Sequence, residues 1–252
     1  MPARGERRPL LGPSRTTHKA LTTTLDITLR HRFLLKLFGV WAGQKIVVAV
    51  LAAFRSHARF FNTYLHTQGG GKFVLISLPY IALLILLFIY TTVPRRMPLV
   101  ALAVVALSAA ETLVVACALV LVPAASLLHQ YLSTMVSLSL FIYQLQKALD
   151  FVSVFPYIVS GVTVVFSAPL SYPLLPVLAQ PAGSYTMRPL GLLLISLYIV
   201  AVYAYVVYTA KLLVLRLHPF FELTTGDSFF AFLALYTDTS FSLVLLPIVP
   251  SS

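Results

Sequence analysis

Residues Ser228 to Val249, SFFAFLALYTDTSFSLVLLPIV, form a mainly apolar run with one ionisable residue, Asp238, at its middle. A helix of that length crosses a bilayer, and an ionised carboxylate at its centre costs about 2.5–3.5 kcal/mol on insertion scales unless it finds a partner, a proton or a cation. The simplest resolution is a protonated or hydrogen-bonded Asp238 that only helps helices pack. A functional resolution makes it part of a site for a cation or a proton.

The rest of the chain has the same character. Of its 252 residues 59% are hydrophobic and only 10% charged, with a mean hydropathy of +0.92, which excludes an ordinary water-soluble domain. The expected fold class is all-α, a polytopic membrane protein with seven transmembrane helices, at about 33–54, 73–93, 98–122, 124–146, 152–174, 190–215 and 228–249. The fifth segment is expected to fade into a Pro-rich loop beginning near Ser167. Residues 1–29 read as a basic, flexible cytosolic tail ahead of a transmembrane domain over 30–252. A mitochondrial presequence is the alternative for the tail, but Glu6, Pro9, Pro13 and Asp26 break the amphipathic helix it needs.

A net charge of +11 suggests nucleic acid, yet eight of the eighteen Lys and Arg lie in the first thirty-six residues, beside an apolar segment. That distribution reads as topology and attraction to lipid headgroups, so the expected partner is the bilayer and no nucleic acid. Counting Lys and Arg on alternate sides puts the N-terminus in the cytosol.

Three ionisable residues fall at mid-depth on three segments: Lys45, Glu111 and Asp238. Burying each alone is costly, so their helices are expected to meet, leaving one ion pair and one acid over. The fourth segment carries His129, Gln130, Ser133, Thr134, Ser137 and Ser139, and is expected to face other helices rather than lipid. Cys117 is the only cysteine, the six histidines show no i, i+4 pair, and no nucleophile motif or phosphate loop stands in the chain; an enzyme and a resident cofactor are not expected.

Four stretches carry a family resemblance. RHRFLLKLFGVWAGQ holds Phe33, Lys36, Leu37, Phe38 and Gln44; RRMPLVALAVVALSAAE holds Arg95, Arg96, Pro98 and Glu111; STMVSLSLFIYQLQKALDF holds Thr134, Tyr143, Gln146, Asp150 and Phe151; FLALYTDTSFSLVLL holds Leu233, Leu235, Tyr236 and Asp238. In this order they resemble the motifs of the transmembrane BAX inhibitor motif family, which includes BAX inhibitor and the lifeguard proteins. The resemblance implies six helices around a hydrophobic last helix, with acids on the sixth and seventh binding a proton or Ca2+ and gating a slow leak. Asp238 matches the second acid. At the first stands Thr209, in YTAKL where the family has Tyr-Asp-Thr-Gln-Leu, and Lys211 brings a cation instead.

One carboxylate cannot titrate cooperatively as two do. The expectation is that the ammonium groups of Lys45 and Lys211 occupy the space a calcium ion would use. Such erosion resembles the diversified seven-transmembrane proteins of the cytomegalovirus short unique region, which as a class act on host membrane proteins, including ligands seen by natural killer cells. The expected function is thus modulation of host cell survival or immune-ligand trafficking by binding host membrane proteins. The alternative is a pH-sensitive, anti-apoptotic calcium leak of the endoplasmic reticulum or Golgi, with Asp238 and Glu111 as its cation or proton site and Arg95, Arg96, Lys45, Lys211 and Thr209 as gating or charge-partner positions.

Overall fold

The computed structural model describes residues 26–56, 77–83, 85, 97–146, 150–178, 189–215, 231–233 and 235–236. Among them lie five long helices and no strand: α1 (Asp26–Ser56), α2 (Met97–Leu121), α3 (Pro123–Leu145), α4 (Phe155–Leu178) and α5 (Pro189–Val214). Residues 77–83 and 85 are also helical, as are 231–233 and 235–236. Four of the long helices, α1, α2, α3 and α5, are long and apolar enough to cross a membrane. Outward positions of α2, α4 and α5, among them Leu102, Val105, Val165, Phe166, Leu193 and Leu197, leave large apolar side chains exposed. Buried polar groups and exposed apolar ones are the arrangement that lipid, not water, favours. We conclude that the chain is an integral membrane protein built as a helical bundle.

The polar fourth segment forms the hub. α3 packs against α1, α2, α4 and α5. Its buried positions Ser126, Gln130, Ser133, Ser137, Leu140 and Gln144 recur every three or four residues and make a seam of mostly small or polar side chains. Small residues let backbones approach closely, the main route to tight packing where lipid removes the hydrophobic drive between helices. Tyr203 of α5 seals the seam, its hydroxyl 2.6 Å from the Ser133 carbonyl and 2.7 Å from Ser137 Oγ. Gly39 of α1 admits Phe141 of α3, whose ring would stand 3.2 Å from an added Cβ.

Register gives the helix directions. Lys45 meets Glu111, and Val48 and Ala52 cluster with Val115 and Ala116, so α1 and α2 run parallel. Gln130 reaches the Lys45 carbonyl while Phe141 lies on Gly39, so α3 runs antiparallel to α1. The α2–α3 reversal turns on Val122 alone (φ −138°, ψ 66°), with Pro123 opening α3 where its missing N–H costs nothing.

Two boundaries differ from expectation. α1 begins at Asp26, inside the stretch assigned to the tail. α4 does not fade at Ser167 but continues through Pro169, Pro173 and Pro176 to Leu178. Proline removes a backbone donor and usually ends a helix in water, but neighbouring helices tolerate it in a membrane bundle. Of the expected segments, most of 73–93 and of 228–249 lie outside the described residues.

If the small-residue seam of α3 sets the helix spacing, Ser137→Leu should overpack it. A loss of about 1–3 kcal/mol is expected. Phe166→Leu on the exposed face of α4 should stay within about 0.5 kcal/mol. Thermal unfolding in detergent compares the two, and equal losses would contradict the seam.

Candidate functional site: a buried charge centre

The face of α1 that enters the bundle carries Trp41, Gln44, Lys45 and Val48, spaced i, i+3, i+4 and i+7 and all buried. Across from it α2 presents Glu111, which is fully buried. Lys45 Nζ stands 2.6 Å from Glu111 Oε1. Gln44 Nε2 and the Tyr236 hydroxyl both donate to Glu111 Oε2. Two oxygens thus receive three donors, one of them a full positive charge.

An aromatic wall surrounds the pair. The Lys45 ammonium lies 5.8 Å from the centroid of the Trp41 ring and 5.6 Å from that of Tyr236. Trp41 in turn contacts Phe232 and Tyr236, at 5.7 and 6.0 Å between centroids. The Tyr80 hydroxyl reaches that of Tyr236 at 3.5 Å. The described residues of the last segment, Ala231, Phe232, Leu233, Leu235 and Tyr236, are all buried. α3 closes the centre, Gln130 Nε2 donating to the Lys45 carbonyl at 3.1 Å. Dehydrated charges are expensive, and a pair is tolerable when hydrogen bonds occupy the remaining lone pairs, as Gln44 and Tyr236 do here.

Of the positions singled out from sequence, Lys45 and Glu111 come together as a pair. Thr209 is buried on α5. Lys211 corrects an expectation: it does not share the core with Lys45. Its Nζ donates to the Ser153 carbonyl and sits 4.2 Å from the Tyr157 ring centroid, at the turn into α4. A long side chain near a helix end reaches the nearest polar backbone, and this turn offers one. Asp150 and Ser153 shape it: Asp150 Oδ1 accepts from the Val152 N–H and Ser153 Oγ from the Phe155 N–H. Asp238, Arg95 and Arg96 lie outside the described residues.

Sequence reasoning missed Gln44, Tyr236, Tyr80, Trp41 and Gln130 as partners of the pair. Gln44 and Tyr236 were visible only as marks of resemblance; adjacency to Lys45 was the one local signal that Gln44 could serve the same acid. Among the described residues no group of three His, Cys, Asp or Glu is placed to hold a metal ion. Neither a protein-family model, nor a curated protein, nor a solved structure matches this chain.

A buried pair is costly to break from one side. Lys45→Met or Glu111→Leu alone should destabilise by about 3–5 kcal/mol, because each leaves a buried charge uncompensated. The double variant should lose much less than the two single losses added together. Unfolding of all four proteins in one detergent reads the coupling, and simple additivity would show that the pair is not a unit.

Proposed function

We propose that this chain is a seven-span protein of the BAX inhibitor type that works as a membrane-embedded modulator, binding host membrane proteins and altering their trafficking or survival signalling. The observation that carries this reading is the filled coordination sphere of Glu111. With Lys45, Gln44 and Tyr236 on its two oxygens, the acid has a tethered ammonium where a leak site needs a mobile cation. Thr209, in the position where the resemblance expects a second acid, supplies no charge.

The helix directions support seven crossings. Since α1 and α2 are parallel, a seven-span reading needs one crossing between them, and the apolar 73–93 stretch has the length and composition for it. Contacts of Trp41 with Phe232 and of Gln44 with Tyr236 suit a last segment parallel to α1. With the basic tail holding the N-terminus in the cytosol, the C-terminal end then lies on the other side. Endoplasmic reticulum and Golgi membranes are the compartment this reading assigns, and cytomegalovirus-type relatives the kind of protein it resembles.

A calcium leak is the second reading, favoured by one observation. Tyr236 touches Glu111, which brings the segment carrying Asp238 to the buried acid. Calcium efflux from liposomes holding the purified protein, measured on both sides of neutral pH, separates the two. The wild type is expected to leak no faster than protein-free liposomes, while its expression in cells lowers the surface level of host membrane ligands without draining stored calcium. A leak that Asp238→Asn abolishes would overturn the modulator reading and establish the channel.

A further inference from the structure

Three residues that touch the charge pair or its backbone, Trp41, Gln44 and Gln130, each keep a polar atom without a partner. Trp41 Nε1 and Gln44 Oε1 on α1, and Gln130 Oε1 and Ser126 Oγ on α3, form no hydrogen bond although each of these residues is more than nine-tenths buried. Trp41 and Gln44 share a face of α1, and the Gln130 amide lies against the carbonyl of Lys45, the residue next to Gln44. Turning the amides over does not cure the deficit. A reversed Gln44 would point its oxygen at the Glu111 carboxylate, and a reversed Gln130 would point its oxygen at the Lys45 carbonyl. The charge centre itself forces both oxygens to look elsewhere.

Their chemistry selects an occupant. Trp41 offers one N–H donor, while Gln44 and Gln130 offer acceptors, and the Ser126 hydroxyl can do either. A cation would face the indole N–H and stand near the Lys45 ammonium; an anion would face amide oxygens beside Glu111. Water accepts from the indole and donates to the amides, and buried water typically makes two to four such bonds to polar groups that lack other partners.

We infer that the bundle holds bound water at this centre, in contact with Trp41 Nε1, Gln44 Oε1 and Gln130 Oε1. The pair is then a hydrated site inside the membrane. Its amides serve two neighbours each: the nitrogen side holds Glu111 or the α1 backbone, and the oxygen side holds the water. This inference does not rest on the modulator reading, since either a closed scaffold or a leak can carry the water.

Trp41 is the only tryptophan in the chain, so its fluorescence reports on this centre alone. The full-length protein in lipid nanodiscs would be excited at the red edge of absorption, to spare the tyrosines, in H2O and after full exchange into D2O. Wild-type emission is expected to lie to the red of a dry, buried indole, with a longer lifetime in D2O. Gln44→Leu and Gln130→Met should each shift the emission to the blue and diminish the D2O effect, with helicity checked by circular dichroism. Gln130→Met serves if the Gln44 variant does not fold. Blue-edge emission without a D2O response in the wild type would overturn the inference. So would a red-shifted emission that neither folded variant changes, because the water at Trp41 would then not be held by these amides.

Discussion

Glu111 carries a charge with no access to solvent, and the arrangement of the bundle follows from what that charge requires. An isolated carboxylate at this depth would take a proton or expel its helix from the core. Instead α1 supplies an ammonium and an amide, and the last segment a hydroxyl, so residues 67 and 125 positions away along the chain meet on one side chain. α3 and Tyr80 then support the donors themselves. A buried pair of this kind is weak evidence for stability, but it strongly specifies which helix faces meet.

Packing around α3 makes that meeting geometrically available. Serines along its seam receive Tyr203 of α5, Gly39 lets α1 approach Phe141, and the single-residue reversal at Val122 folds α2 back beside it. With α1 parallel to α2 and antiparallel to α3, Glu111 and Gln130 both arrive at the level of Lys45. The exposed apolar faces of α2, α4 and α5 contribute little to this selection, because lipid is as apolar as they are.

The modulator reading and the leak reading share this centre and differ over what Lys45 is for. As a permanent partner it neutralises the acid and leaves a scaffold whose remaining business is with other membrane proteins. As a displaceable partner it would be a gate. Lys211, which looked like a second cation for the same space, is committed to the turn before α4 and leaves Lys45 as the ammonium that faces Glu111 among the described residues.

Much of this was legible in the residues. Apolar runs of bilayer length announced the helices, because hydrophobic thickness is a one-dimensional constraint that composition alone can meet. The polar character of α3 announced burial, and the isolation of Lys45 and Glu111 announced a pairing, since neither charge could be left alone. The course of α4 past three prolines was not legible, because local propensity argues against it and only surrounding helices offset it. Nor were the donors to Glu111, or the direction Lys211 takes. Those depend on which faces lie opposite one another, and that is decided by ridges, small-residue seams and hydrogen-bond geometry across segments far apart in the chain. The sequence by itself determined that this protein is a bundle of apolar helices with charges that must find one another; the tertiary structure alone decided that Lys45, Gln44 and Tyr236 share Glu111, because only packing sets the distance between them.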